Sequence, residues 1–221
     1  MLELPAAIEI ETGKNPTASV IWLHGLGADG NDFAPIVPEL RLPETAIRFV
    51  FPHAPVRPVT INRGMRMRAW YDITDGADRR EDERGVRASQ VLIEALIGRE
   101  KERGTAAGRL VLAGFSQGGA IALHTGLRHL KRIAGVMALS AYVPVGEKLS
   151  AEANTANRDV PIFMAHGSDD PIIPLSRAEQ SRGLLQSLGY PVEWREYRMP
   201  HSVCPEELAD IGVWLGKVLG P

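Results

Sequence analysis

Apolar residues fall along this chain in short continuous runs separated by longer amphipathic stretches. The runs Val20–Leu23, Ile47–Phe51, Leu110–Phe115, Ile133–Leu139, Val160–Ala165 and Val192–Tyr197 have strand length. Their largely continuous rather than alternating apolar character predicts strands covered on both faces, as in a parallel sheet. Ile8-Glu9-Ile10-Glu11 alternates instead, which predicts an exposed antiparallel edge strand. Helices are predicted over Val86–Arg103 before Gly104, Gln117–Leu130, Ser176–Leu188 before Gly189, and Glu206–Leu219. Strands alternating with helices imply βαβ crossovers, hence a three-layer α/β sandwich with a mostly parallel central sheet. No repeat or linker interrupts the pattern, so residues 1–221 read as one domain.

One stretch breaks the rhythm. Pro52 to Arg84 carries prolines, many charges and Trp70-Tyr71 without periodicity. A connection this long inside a compact domain predicts a pocket-covering segment, with Trp70-Tyr71 favouring a pocket role.

The most pointed chemistry lies at Gly114-Phe115-Ser116-Gln117-Gly118, between the run ending at Phe115 and the helix opening at Gln117. Strand, glycine-flanked turn and helix together describe a nucleophile elbow with Ser116 at its apex. A serine hydroxyl needs a base, and the base needs an acid to hold its tautomer. In that architecture the acid follows the serine and the histidine comes last. Gly167-Ser168-Asp169-Asp170 follows one predicted strand, and Met199-Pro200-His201-Ser202 follows the last. Both lie on loops at the sheet edge that carries Ser116, where open α/β sheets place their sites. The residue types leave Asp169 and Asp170 as alternatives for the acid.

Among the six histidines, His201 alone follows the acid turn on a loop after a strand. His124 and His129 fall within a predicted helix, and His53 and His166 carry no catalytic signal. An oxyanion donor is expected from the Gln117 amide at the helix start, and another from the loop His24-Gly25-Leu26-Gly27. That loop also begins a G-x-G-x-x-G string, Gly25 to Gly30. It runs into Pro35 and Pro38, and the following strand ends without an acid, so no dinucleotide site is expected.

Composition narrows the classes. A formal net charge of −2 argues against general affinity for nucleic acid or anionic membrane. No apolar run is long enough to span a bilayer, and Met1-Leu2-Glu3-Leu4-Pro5 does not resemble a signal peptide. A single cysteine, Cys204, excludes an intrachain disulfide and suits a reducing, cytoplasmic setting. Cys204 is expected to pack at the start of the last helix rather than act as a nucleophile. No metal-ligand spacing or Walker loop is present, so neither metal nor cofactor is expected.

Taken together, the phrases Ile21 to Gly27, Pro52-His53-Ala54-Pro55, Trp70-Tyr71-Asp72-Ile73, the Gly114–Gly119 elbow, His166 to Asp170 and Met199 to Ser202 cover nearly the whole chain. They resemble the small carboxylesterase and acyl-protein thioesterase family of α/β-hydrolases. The resemblance implies an α/β-hydrolase fold without a large lid domain, acting on small-molecule esters or thioesters as a monomer or homodimer. It implies Asp170 as the acid, Leu26 as the second oxyanion donor and Trp70 as a wall of the acyl pocket. Arg68-Ala69 before Trp70 and the charged run Asp75 to Arg84 depart from the family pattern and leave the pocket's shape open. The leading expectation is a serine esterase for short to medium acyl chains. An acyl-protein thioesterase or lysophospholipase-like activity is the alternative, and a non-catalytic binding module on the same fold is the reading from another class.

Overall fold

In the computed structural model, which describes residues 4–42, 46–74 and 81–220, a seven-stranded sheet forms the middle layer. Its strands are β1 (Ala7–Glu11), β2 (Ala18–Leu23), β3 (Ile47–Pro52), β6 (Leu110–Phe115), β7 (Gly135–Leu139), β8 (Ile162–Gly167) and β9 (Val192–Tyr197). The two strands missing from that count, β4 (Val56–Val59) and β5 (Met65–Arg68), pair separately as an antiparallel hairpin. The order across the large sheet is β1-β3-β2-β6-β7-β8-β9, with every pair parallel except β1 against β3.

Side chains alternate across the central strands, so each strand feeds both faces. Ile21, Leu23 and Leu112 join one buried layer with Ile93, Leu96 and Ile121. The last three come from α1 (Glu83–Glu102) and α2 (Gln117–Arg128). Val20, Trp22, Val111 and Phe163 join the opposite layer with Ile211, Trp214 and Leu215 of a C-terminal helix, Pro205–Leu219. Between these helices the chain forms the short α3 (Leu149–Glu152) and α4 (Leu175–Ser187), which makes the C-terminal helix α5. The expected sandwich and its antiparallel edge strand are both present.

Three differences from the sequence pattern have physical causes. Strand β9 is half exposed, with Arg195 and Glu196 open to water, because it closes the sheet at its far edge and has one neighbour only. Helix α2 stops at Arg128 and His129 turns extended, with its ring nitrogen bound to Glu94 on α1 at 2.8 Å. The segment from Pro52 to Arg84 is not irregular throughout. It contains the β4–β5 hairpin, closed around a 3-10 turn at Thr60–Asn62, and the start of α1. Asp82 caps that helix by accepting the Gly85 amide at 2.8 Å and also accepts the Asp72 amide, closing the excursion back onto itself. Of the charged run Asp75 to Arg84, positions 75–80 lie outside the described residues.

One core residue carries an uncompensated cost. Glu207, in the first turn of α5, is 0% exposed, and neither carboxylate oxygen makes a well-formed hydrogen bond among the described residues. Burial pushes its carboxyl from an ordinary 4.5 up to about 8, with repulsion from Asp210 adding and the backbone at Cys204 pulling back. The unfolded chain releases this proton near 4.5 while the fold keeps it until about 8. Stability from this group is therefore full below the lower value and lost as pH rises through the upper one. Glu207→Gln is expected to flatten the decline in melting midpoint between pH 5 and 9, by the equivalent of a few kcal/mol (roughly 1.4 kcal/mol per pKa unit). Parallel declines in the two proteins would contradict this.

Candidate active site

Strand β2 sends the chain outward to β3 on one side, while its other neighbour is β6. The C-terminal ends of β2 and β6 thus form the point where the strand order reverses, the usual position for a ligand crevice in an open α/β sheet. His24 follows β2 directly, and Ser116 follows β6 directly.

Ser116 sits alone between β6 and α2 with φ 54° and ψ −120°. Such a left-handed φ costs a serine about 1–3 kcal/mol and persists only where surrounding structure imposes it. Here Ser116 N–H donates to Leu139 O at the end of β7 (2.8 Å), and Ser116 O accepts the Ala120 amide (3.1 Å). The flanking glycines are steric requirements. A Cβ on Gly114 would overlap the backbone of Gly118, and one on Gly118 would overlap the Leu23 carbonyl of β2. The strand, turn and helix are packed closer than any side chain there would allow.

The two expected partner loops meet at the same edge. The acid turn after β8 lies directly on the loop after β9, since a Cβ on Gly167 would overlap the Met199 and Pro200 carbonyls. Asp170 is buried, and its Oδ2 accepts from His201 Nδ1 at 2.6 Å. Its Oδ1 accepts the amides of Ile172 (2.8 Å) and Ile173 (2.9 Å), so the carboxylate is held on both sides. Asp169 is exposed. Tertiary structure therefore separates the two neighbours that the residue types left open. With Nδ1–H given to Asp170, His201 keeps the Nε2 lone pair for a proton. Its ring packs on Phe115, the residue before Ser116, with centroids 4.7 Å apart. His166 supports the acid turn from beneath: it is buried and donates from Nε2 to Ile173 O at 2.9 Å.

On the other side of β6 from Asp170 and His201 lies the glycine loop after β2. A Cβ on Gly25 would stand 3.5 Å from Ser116 Cβ and 3.3 Å from the Phe115 ring. The Leu26 and Gln117 amides, the two expected oxyanion donors, form no backbone hydrogen bond among the described residues. The Gly25–Gly30 string continues into a 3-10 segment at Ala34–Leu40 rather than an α-helix. Its first glycine serves the serine elbow.

Trp70 takes a different place from a pocket wall. Its side chain is 0% exposed, so the indole presents no surface to a ligand. Its Nε1–H donates to His24 O (2.9 Å) and its backbone N–H to Gln117 Oε1 (2.8 Å). Gln117 Nε2 in turn donates to Tyr71 O (2.8 Å). Trp70 thus ties the glycine loop to the residue after Ser116. The sequence pointed to Gln117 for its amide but gave no signal for this side chain, whose partners lie 46 and 47 positions away.

Cys204 caps α5 by position, and burial pushes its thiol up, which makes it a poor nucleophile. A cavity of about 620 Å³ lies at the other end of β7–β9, lined by residues such as Ile133, Pro161, Trp214 and Lys217. None of the candidate catalytic residues borders it. Among the described residues no group of acids, histidines and cysteines could hold a metal ion, and no helix is long and apolar enough to cross a membrane.

Layered sheet, elbow and strand-end loops together define an α/β-hydrolase. The chain belongs to the Phospholipase/Carboxylesterase family, whose model matches residues 5–219. It is 39% identical over 227 residues to acyl-protein thioesterase 1 of Gibberella zeae, covering 98% of this chain and 97% of that one. Among solved structures it resembles Arabidopsis thaliana SOBER1 (TM-score 0.86, 30% identity, 91% of this chain and 99% of that one). It also resembles Zea mays acyl-protein thioesterase 2 (TM-score 0.84, 26% identity, 97% of this chain and 100% of that one).

Proposed function

We propose that this hydrolase is a serine acyl-thioesterase and esterase that works through an acyl-enzyme on Ser116. The observation that carries the reading is the 2.6 Å bond from His201 to an Asp170 fixed by two further amides, on loops abutting the Ser116 elbow. His201 Nε2 takes the Ser116 proton as Oγ attacks the carbonyl carbon. The carbonyl oxygen becomes an anion held by the Leu26 and Gln117 amides. Collapse of that intermediate expels the leaving thiolate or alkoxide, which receives the proton from His201. Water then attacks the acyl group, again giving its proton to His201, and the freed acid leaves Ser116 with its hydroxyl restored. Asp170 steadies the imidazolium in both halves. No step calls on a cofactor.

The thioester preference rests on the relatives named acyl-protein thioesterase. The family's description favours a second reading, a carboxylesterase for oxygen esters. Both leaving groups give the same acyl-enzyme, so paired substrates separate the readings. With S-acyl and O-acyl substrates of matched chain length, kcat/KM is expected to favour the thioester by about tenfold or more, a difference of ~1.4 kcal/mol. Turnover of the oxygen esters alone would select the carboxylesterase reading. We further infer that residues 1–221 act as one catalytic unit on small acyl substrates in a cytoplasmic setting, as a monomer or homodimer without nucleic acid. The single cysteine, modest net charge and near full-length match to the family support this.

A further inference from the structure

We propose that His24 is a positioning residue for acyl transfer: it holds the Gly25–Leu26 peptide so that the Leu26 N–H points at the developing oxyanion. The inference rests on the proposed role of the Leu26 amide.

His24 is buried at the end of β2, and its Nδ1 lies 2.7 Å from the Gly25 carbonyl oxygen. A carbonyl can only accept, so Nδ1 carries the proton. The other nitrogen, Nε2, lies 3.0 Å from the Ala54 amide, which can only donate. Both neighbours therefore demand the same neutral tautomer, with Nδ1 protonated and Nε2 free. Protonation would set a second N–H against the Ala54 amide, and burial independently lowers the affinity of the ring for that proton.

The Gly25 carbonyl and the Leu26 N–H belong to one planar trans peptide, in which C=O and N–H point in opposite directions. A bond that pins the carbonyl consequently aims the amide. The Ala28 amide reaches the same carbonyl only at 3.4 Å, so His24 supplies the stronger hold. Each adjoining peptide is pinned as well. The His24 carbonyl accepts from Trp70 Nε1 (2.9 Å), while Gly27 N–H donates to Arg68 O (2.9 Å). The imidazole itself packs against the Trp70 ring with centroids 5.3 Å apart. Three successive peptides are fixed, and in their middle the Leu26 amide has no backbone partner. A donor held this way needs little reorganisation when charge appears, which is where preorganised amides gain their catalytic value.

The test compares His24→Phe, His24→Asn and His24→Gln in the full chain. Asparagine can return an N–H to the Gly25 carbonyl but leaves the Ala54 amide without an acceptor; glutamine does the reverse. Phenylalanine is expected to lower kcat by about 10- to 100-fold, less than the loss of a whole oxyanion donor, with KM within about threefold. Asparagine should restore most of kcat and glutamine little, although both leave one of the two bonds unmade. A merely structural role would lower the melting midpoint without that asymmetry. The assignment is overturned if phenylalanine keeps wild-type kcat, or if glutamine rescues as well as asparagine. Should the phenylalanine variant fail to fold, the asparagine–glutamine order still decides. Labelling with a fluorophosphonate, read by mass at Ser116, separates the two levels. An unlabelled wild type defeats the acyl-enzyme reading and this inference with it. A labelled wild type with no asparagine–glutamine difference defeats the His24 assignment alone.

Discussion

Ser116→Ala is expected to abolish turnover of a short aryl ester, lowering kcat by about 10⁶-fold, the scale at which a nucleophile acting within a triad is lost. The fold should survive the change, because the features that impose the elbow are not the hydroxyl. They are the Ser116 N–H to Leu139 O bond and the glycine contacts of Gly114 and Gly118. The strain at φ 54° would remain, now borne by alanine. KM should change little, since the side chain contributes mainly to the covalent step. Residual activity above the background rate in a clean preparation would remove Ser116 from the mechanism. Loss of activity together with loss of the melting transition would leave a structural role in its place.

The second large effect separates adjacent aspartates. Asp170→Asn is expected to lower kcat by about 10⁴-fold, and Asp169→Asn to leave it within a few-fold. Asparagine at 170 can still accept the Ile172 and Ile173 amides through its oxygen, so the turn is retained. Its NH₂ group would then face His201 Nδ1, which must accept rather than donate. That moves the imidazole proton to Nε2 and blocks removal of the Ser116 proton. Asp169 is exposed, and its backbone amide, donating to Met199 O at 3.2 Å, is unchanged by the substitution. Steady-state rates on one substrate decide the matter: equal losses in both variants, or a loss only at 169, would reverse the assignment.

Much of the architecture was legible in local pattern because burial imposes it locally. Leu110 to Phe115 is a central strand covered on both faces, and the run shows as unbroken apolar character. The edge strand Ala7–Glu11 alternates because it is only partly covered. Val192–Tyr197 misled for the same reason in reverse. Its apolar residues suggested cover on both sides, whereas its place at the sheet's edge leaves Arg195 and Glu196 in water. The β4–β5 hairpin escaped the pattern because each strand has only four residues, Val-Arg-Pro-Val and Met-Arg-Met-Arg, too few for a periodicity to stand out in a charged stretch. Most of their side chains are exposed or half-buried, and the two strands pair with each other outside the large sheet.

Taken alone, the sequence determined the order of the Ser116 elbow, the acid turn and the histidine loop, and with it the hydrolase class. Strand-to-helix turns and strand-end loops leave short-range marks, namely glycines, a run of apolar residues, and polar groups just beyond it. The bond between a buried Asp170 and His201 beside an exposed Asp169, the enclosed place of Trp70, and the contacts of the His24 and Gln117 side chains are visible only in the tertiary structure. These features depend on which way a side chain points and which distant backbone group lacks a partner. A hydrogen bond from Trp70 to Gln117 closes across 47 positions, and nothing in either local stretch encodes the other's place.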